Sequence, residues 1–345
     1  MPSTTVIIVT YNRPDCVKMC LGRLRQQTRR PEQIIVVDGS PDDRTRLLCA
    51  DFPEALYLRN EAGLGHMTRS RNIGLQQAKG EIIAFLDDDS FAHSTWLEEL
   101  LKPYANLTVG AVGGRALRDQ PGEDKQGVDQ IGRLLPNGEI TGNFAADPGR
   151  DLLVDHIMGC NMSFRRSVLD QLGGFPELYP GVSGVREDTG VCLRVRAAGH
   201  KLIFAHRAVV DHLGAPQAKG QRFDLRYQYY GQRNHIVLLA SNFGFASAIF
   251  WRYILHCCYG SAREFVRTFY WAARRILCGM MGIAAGWCGL FAGVLAAVRV
   301  PKAKAGATDT SAAKPAPTPG APPAGSDTDA VTADLVPPQK RQSQR

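Results

Sequence analysis

The chain has 345 residues, of which 44% are hydrophobic and 21% are charged. It is long and apolar enough to bury a core in one large or two medium domains, which excludes a disordered or fibrous protein for most of its length. Its nine cysteines form no CxxC pair, and a strand-like segment occupies residues 1–9, where a secretory signal would stand. We therefore expect free, mostly buried thiols in a reduced cytosolic setting, and neither a disulfide scaffold nor a structural zinc site.

The formal net charge of +8 is concentrated in one region. Residues 1–214 carry 25 Lys and Arg against 27 acids, whereas residues 215–300 carry ten against two and are also the most apolar part of the chain. Arginines and aromatics are interleaved in GSAREFVRTFYWAARR, which is typical of a helix on an anionic membrane surface. Nucleic acid is the weaker alternative partner, because bulky apolar side chains separate the basic ones.

In the N-terminal part, short apolar runs alternate with helical patterns. The runs TTVIIVT, QIIVVD, ALYLRN and EIIAFLD predict four strands, and helices are predicted near 15–27, 42–50 and 68–79. This alternation predicts an α/β fold with a mostly parallel sheet flanked by helices. Because no GxGxxG or Walker lysine motif follows the first strand, a dinucleotide enzyme and a P-loop NTPase are both disfavoured.

Polar residues follow three of these predicted strands. Thr10 to Arg13 follow the first, Asp38 follows the second, and the acidic triplet Asp87 to Asp89 follows the fourth. Ligands of such sheets bind at the carboxyl ends of the strands. Three adjacent carboxylates repel one another, so that one is protonated, all are solvated, or a cation lies among them. Oxygen ligands suit Mg²⁺ or Mn²⁺, and a solvated acidic turn is the alternative.

Five motifs follow one another between about residues 4 and 240. They are VTYNRPD, VVDGSPDD, GLGHMTRSRNIGLQQAKGEIIAFLDDD, GCNMSFRR and EDTGVCLRVRAAGHKLIFAHRAVVDH. Together they resemble the family 2 glycosyltransferases of the GT-A fold, and among these the rhamnosyltransferase-like enzymes of cell-envelope polysaccharide synthesis. The resemblance implies a Rossmann-like GT-A catalytic domain at residues 1–214. It also implies metal-dependent, inverting transfer of a hexosyl or deoxyhexosyl group from a nucleotide diphosphate to a hydroxyl group.

The resemblance further implies roles for individual residues. Asp188, in the Glu187–Asp188 catalytic pair, would be the general base. Mn²⁺ or Mg²⁺ would be held by Asp87, Asp89 and His212. The donor would be bound by Thr10, Asn12, Arg13, Asp38, Arg71, Asp87, Asp88 and Asn161, with Asn72 supporting the loop of Arg71. These residue types suit the reaction, since the leaving diphosphate needs positive charge and the attacking hydroxyl needs a carboxylate that takes its proton.

Several of these residues also have ordinary structural interpretations. Asp188 stands in the first turn of a predicted helix, where acidic side chains are favoured by the helix dipole. His212 is by itself more typical of a structural histidine. Asp38 could only turn the chain. If it contacts the base, a UDP- or dTDP-linked sugar is favoured, because its carboxylate can accept from a pyrimidine imide N–H.

Two segments are candidates for binding the acceptor. Residues 118–154 are polar and rich in turns, as long functional loops are. The stretch RYQYYGQRN at 226–234 resembles the Tyr- and Arg-Asn-rich segment of polysaccharide-type members, and favours a lipid-diphosphate-linked acceptor over a soluble one. No QxxRW motif is present, which favours a single addition over processive polymer synthesis.

The C-terminal third is predicted to be attached to a membrane. Residues 276–298 form 23 residues without a charge, enough to span a bilayer, and their five glycines share one helical face that could pack against another helix. Basic residues flank both ends, so the positive-inside rule gives no orientation. We expect association with the cytoplasmic side of the inner membrane through about 236–298, within a helical region at 215–300. Residues 301–345, rich in Pro and Ala, are expected to form a disordered tail.

Two other functions are compatible with these patterns. A nucleotidyltransferase on a related sheet would need a glycine-rich signature with a phosphate-binding lysine near the first strand, which NRPDCVK does not supply. A non-catalytic, membrane-attached binder of nucleotide sugars would keep its function without Asp188, whereas a glycosyltransferase would not.

Overall fold

The protein was analysed as a computed structural model. It describes residues 2–180, 185–214, 224–270 and 276–298, with the backbone alone at 263–270 and 276–279. The predicted tail at 301–345 lies outside these ranges. The eight described cysteines are free thiols, of which four are buried and Cys288 is exposed.

The N-terminal half of the sheet, strands β1 to β4, forms a parallel α/β unit, as predicted. Its four strands pair in the order β3-β2-β1-β4, and all three pairings are parallel. The elements are β1 (Thr4–Thr10), α1 (Pro14–Arg25), β2 (Gln33–Asp38), α2 (Arg44–Cys49), β3 (Ala55–Arg59), α3 (Met67–Gln77) and β4 (Ile82–Asp87).

The second half extends the same sheet with strands of both directions. Beyond β4 the order is β8-β6-β9-β5, with β7 also on β9, which makes nine strands in the described part of the chain. Strand β8 is antiparallel to β4 and to β6. The sheet is mixed here because the regular alternation of strand and helix stops after β4. The elements are β5 (Ser90–Ala92), α4 (Trp96–Leu101), β6 (Val109–Leu117), β7 (Leu152–Val154), β8 (Asn161–Arg165), α5 (Arg166–Leu172), α6 (Glu187–Ala197) and β9 (Lys201–His212).

Both faces of the central strands are covered. All seven residues of β1 are buried, as expected for a parallel strand with helices on both sides. Val6 and Ile8 belong to the core beneath α1 and α4, whereas Ile7 belongs to the core beneath α3 and α6. Gly74 lets α3 approach closely, since a Cβ atom there would lie 2.7 Å from Ile7 Cγ2.

Strand pairing brings distant polar residues to one edge of the sheet. Val9 pairs with Asp87, so that the ends of β1 and β4 are adjacent. The acidic triplet leads directly into β5, whose Ser90 pairs with His212 at the end of β9. His212 therefore reaches the triplet through the β5–β9 pairing, although more than 120 residues separate them in the sequence.

Three helices follow the sheet: α7 (Leu225–Phe243), α8 (Ala248–Tyr270) and α9 (Ile276–Val298). Helix α7 begins at an Asp224 cap, whose carboxylate accepts from the Tyr227 N–H at 2.8 Å. Helix α9 packs against α7 through glycines of the face that the sequence marks as a possible packing surface. A Cβ atom on Gly289 would lie 2.7 Å from the Tyr229 carbonyl oxygen, and one on Gly293 would lie 2.6 Å from Ile236 Cβ.

Candidate active site

Two carboxylates and an imidazole form a candidate metal centre. One ligand atom from each of Asp87, Asp89 and His212 lies within 4.8 Å of the others, and His212 Nε2 is 3.4 Å from Asp89 Oδ1. Burial acts to lower the pKa of His212, but Cys160, Asp89 and Asp87 outweigh it and raise the pKa to about 11. The carboxylates of Asp87 and Asp89 favour a cation at this point, and an oxygen-rich donor set with one imidazole fits Mn²⁺ or Mg²⁺.

Asp88 points away from this centre into the protein. Its Oδ2 accepts from the Thr10 hydroxyl at 2.6 Å, and its Oδ1 lies 3.0 Å from Arg13 Nη2. The other guanidinium nitrogen of Arg13 is 3.2 Å from Asp89. Burial raises the pKa of Asp88 to about 7 against the opposing effects of Arg13 and Thr10. These contacts fix the turn that presents Asp87 and Asp89.

A buried ion pair connects the parallel half to α6. Arg71 is on α3. Its Nη2 lies 3.2 Å from Asp87 Oδ1, and its Nη1 donates a short hydrogen bond to Glu187. The Thr68 hydroxyl donates a second short bond to Glu187. Burial raises the pKa of Glu187 to about 7, although Arg71 and Thr68 act in the opposite direction. Both partners are buried, so the pair fixes α6 against β4.

Asp188 stands beside this pair with its carboxylate held by backbone groups. Its Oδ2 accepts from the Gly159 N–H at 2.9 Å, and its Oδ1 accepts from the Thr189 N–H at 2.6 Å. The hydroxyl of Thr189 lies 3.3 Å from Asp188 Oδ1 and 3.3 Å from His156 Nδ1. Burial lowers the pKa of His156, whose Nε2 is 2.8 Å from the Thr141 carbonyl oxygen. The orientation of Asp188 is thus set from two sides.

One cavity of about 620 Å³ brings most of the predicted site together. The sequence-predicted residues in its wall come from both halves of the sheet. They are Arg71, Asp87, Glu187, Asp188 and His212. Because Asp87, His212 and Asp188 all line this space, a substrate in it would contact the metal centre and Asp188 together.

The structure also places residues here that sequence reasoning missed. They are His156, Arg186 and Thr189, and each lines the cavity. Arg186 adopts a left-handed conformation with φ 82°, which is strained for a residue with a side chain. Such strained residues cluster at functional sites. The predicted acceptor segments contribute Arg118, Gln120, Thr141 and Tyr227 to the same wall. No local pattern marks His156 or Thr189, because tertiary packing alone brings them to Asp188.

Besides Asp88, five predicted donor-binding residues lie outside this cavity. Thr10 and Arg13 contact the Asp88 carboxylate of the acidic turn, and the Asn12 N–H donates to Ser40 Oγ at 2.8 Å. The buried Asp38 carboxylate accepts from the Ser40 N–H at 2.8 Å and from the Tyr57 hydroxyl at 3.1 Å.

Asn161 is the fifth such residue. It is fully buried, its Oδ1 accepts from Trp96, and its Nδ2 donates to the Arg115 and Ala208 carbonyl oxygens. Its amide therefore joins β8 to its neighbours and does not face the cavity.

Comparison with known proteins agrees with this class of site. The family model for glycosyl transferase family 2 matches residues 5–173. The O-antigen chain rhamnosyltransferase WbaN of Salmonella anatum is 29% identical over 230 residues, which cover 65% of this chain and 70% of WbaN. The glycosyltransferase AglE of Haloferax volcanii is 27% identical over 223 residues, covering 63% and 68% of the two chains. The fold and site define a glycosyltransferase, and residues 5–173 form a glycosyl transferase family 2 domain.

A solved structure supports the assignment of the fold. The crystal structure of GalNAc-T7 with UDP, GalNAc and Mn²⁺ superposes with a TM-score of 0.56 at 17% identity, covering 76% of this chain and 51% of GalNAc-T7. At that identity the likeness shows the GT-A fold alone.

Proposed function

We propose that the protein is a metal-dependent inverting glycosyltransferase that moves a sugar from a nucleotide diphosphate, UDP or dTDP, to a hydroxyl group of a cell-envelope glycan or lipid-linked acceptor. One observation carries the proposal: two members of the metal-ligand triad, Asp87 and His212, line the same cavity as the Asp188 carboxylate. A donor in this cavity could therefore have its diphosphate at the metal centre while a carboxylate is available to the attacking hydroxyl.

In this proposal, Asp87, Asp89 and His212 would hold Mn²⁺ or Mg²⁺, which would supply positive charge to the leaving diphosphate. Asp188 takes the proton of the acceptor hydroxyl as the hydroxyl oxygen bonds to the anomeric carbon of the donor sugar and the bond from that carbon to the diphosphate breaks. A single displacement of this kind inverts the configuration. The Gly159 and Thr189 N–H groups orient the Asp188 carboxylate for this step.

Glu187 is assigned a positioning role beside Asp188. Its oxygens are occupied by Arg71 and Thr68, which leaves Asp188 as the better placed base. Arg71 in turn contacts Asp87, so Glu187 acts on the metal centre through Arg71. The two neighbouring acids thus have separate tasks, one with the substrate and one with the protein.

The C-terminal helices support association with a membrane, on which the proposal of a lipid-linked acceptor at its cytoplasmic face rests. Helix α9 is the one helix of the described chain long and apolar enough to cross a membrane, and 22% of Met280–Ala297 is buried. A core helix of a soluble protein would be mostly buried. The similarity to an O-antigen chain rhamnosyltransferase supports a glycan of the cell envelope as the acceptor.

The test is turnover of a panel of nucleotide sugars by the full-length protein with Mn²⁺ or Mg²⁺. We expect Asp188→Asn to retain donor binding and to lose about 100- to 10,000-fold in the rate of donor turnover, as for removal of a general base. The matched control is Asp170→Asn, because Asp170 is exposed on α5 and remote from the cavity. Donor binding without turnover by the wild type would favour a non-catalytic binder instead.

A further inference from the structure

The feature that goes beyond the proposed activity is the way α9 lies along α7. A Cβ atom on Gly282 would lie 3.4 Å from Gln228 Oε1, and one on Gly293 would lie 2.6 Å from Ile236 Cβ. Later residues of α9 contact later residues of α7, so the two helices run side by side in the same direction. From Gly282 to Gly293 this contact extends for about 16 Å at the helical rise.

Helix α7 is itself tied to the catalytic domain by hydrogen bonds. Asn234 Nδ2 donates to the carbonyl oxygens of Pro180 at 3.1 Å and Val185 at 3.0 Å. Arg233 Nη1 donates to the Leu178 carbonyl oxygen at 3.3 Å. Val185 lines the candidate active site, so α7 lies directly behind the catalytic cavity.

While α9 is docked on α7, these contacts prevent it from crossing a bilayer. Crossing requires about 20 apolar residues surrounded by a hydrocarbon layer roughly 30 Å thick. With α9 docked, that layer would also enclose the polar groups of α7 and the loops bonded to it. Backbone and side-chain polar groups cannot be left in hydrocarbon without large cost, so crossing would require α9 to leave α7.

The side of α9 that faces away from α7 carries large apolar side chains. Phe291 is 62% exposed and Leu295 is 65% exposed. Helix α8 adds Leu255 at 67% and Tyr259 at 71%. The surrounding segment, residues 215–300, carries ten basic and two acidic residues, which complements an anionic lipid surface. Apolar side chains together with an excess of basic residues are typical of helices that lie in the membrane interface.

We propose that α9 does not cross the membrane but lies in the plane of its interface, docked on α7 through its glycine face and inserted through its exposed apolar side chains. The catalytic domain and the chain beyond α9 are then on the same side. This proposal rests on the membrane association proposed above. It places the catalytic cavity next to the lipid surface, within reach of a lipid-linked acceptor.

The first test is the sidedness of the two chain ends. The full chain, with an epitope tag at each end, is digested with protease in inside-out and in right-side-out vesicles from a bacterial host. We expect both tags to be removed together from inside-out vesicles and protected together in right-side-out ones. Removal of the two tags from opposite kinds of vesicle would overturn the proposal, as would failure of the protein to sediment with membranes. Donor turnover is assayed separately. Absence of turnover would contradict the proposed enzymatic function, whereas the positions of the two tags test the orientation of α9.

A second test measures partition to vesicles containing anionic lipid. Phe291→Glu with Leu295→Glu should weaken binding at least roughly tenfold, because two large apolar side chains are no longer buried in lipid. Leu107→Glu is the matched control, since Leu107 is 80% exposed on the catalytic domain. Unchanged vesicle binding would contradict the proposal. If the wild type also proves to be a dimer and the double variant a monomer, a second copy covers this face instead.

Discussion

The two halves of the sheet contribute differently to the site. The parallel half supplies Asp87 and Asp89, which follow a buried strand and are held by neighbours close in the fold. The mixed half supplies Asp188 and His212, which reach the cavity through the start of α6 and the end of β9. Two of the three proposed metal ligands therefore come from one half, and the third ligand and the proposed base come from the other.

This division shows that the site depends on the contacts that connect the two halves, here called the joint. Arg71 bridges Asp87 of the parallel half and Glu187 of the mixed half. The β5–β9 pairing makes a second connection, because it brings His212 to the acidic triplet. Changes at the joint should therefore reduce activity even where the chemical groups remain intact, and the predictions below separate these effects.

The largest effect is expected at the metal centre. Asp89→Ala and His212→Ala should each reduce donor turnover by about 1,000-fold, since each removes one of the proposed ligands of the cation that would stabilise the leaving group. Asp211→Ala is the control, because Asp211 is adjacent to His212 but pairs with His93 at 2.9 Å. Initial rates and calorimetric Mn²⁺ titrations check the prediction. Metal affinity equal to that of wild type in both variants would remove the metal centre from the proposal.

The next effect tests the joint itself. Arg71→Met should lower the free energy of unfolding by about 3–5 kcal/mol, because it leaves the buried Glu187 without its partner. The double variant Arg71→Met, Glu187→Leu should recover most of this loss, since a buried ion pair can be replaced by apolar residues of similar size. Denaturant unfolding measures both.

Activity should not recover with stability in that double variant. Asp87 would still lack the contact with Arg71 that lies at 3.2 Å in the wild type. Full recovery of donor turnover would show that Arg71 serves the fold alone. Recovery of neither property would mean that the pair is needed for correct assembly of the two halves.

The parallel half could be predicted from the sequence because its signals are local. The strand TTVIIVT and the acidic triplet are contiguous, and strand ends of a parallel sheet meet at one edge. His212 could not be assigned in this way, because nothing near it in the sequence indicates the β5–β9 pairing. His156 and Thr189 were missed for the same reason. Asn161 looked available for a ligand, but the structure shows its amide bonded to three protein groups.

A smaller effect concerns the pH dependence of stability. The pKa of Glu187 is about 7 in the folded protein because of burial, which is above its ordinary value near 4.3. Between these values the folded state binds more protons than the unfolded state, so this group makes stability fall as pH rises, by at most about 1.4 kcal/mol per pH unit. Glu187→Gln should flatten the slope between pH 4.5 and 7, about the window of that shift. Urea unfolding across this range measures it, and an unchanged slope would contradict the assignment.

The smallest effect concerns the helical region, where α9 depends on glycine for its contact with α7. Gly293→Leu should lower the stability of this region by about 1–3 kcal/mol, because the new side chain overlaps Ile236 and the Arg233 carbonyl oxygen. Gly286→Leu is the matched control on the same helix, since a Cβ atom there meets no described atom within 4 Å. Limited proteolysis between α8 and α9 should accelerate in the first variant and not in the second. Donor turnover in detergent should change little in either, because α9 is absent from the cavity wall. Equal proteolysis of both variants would show that α9 does not dock on α7, and the in-plane orientation would then lose its structural basis.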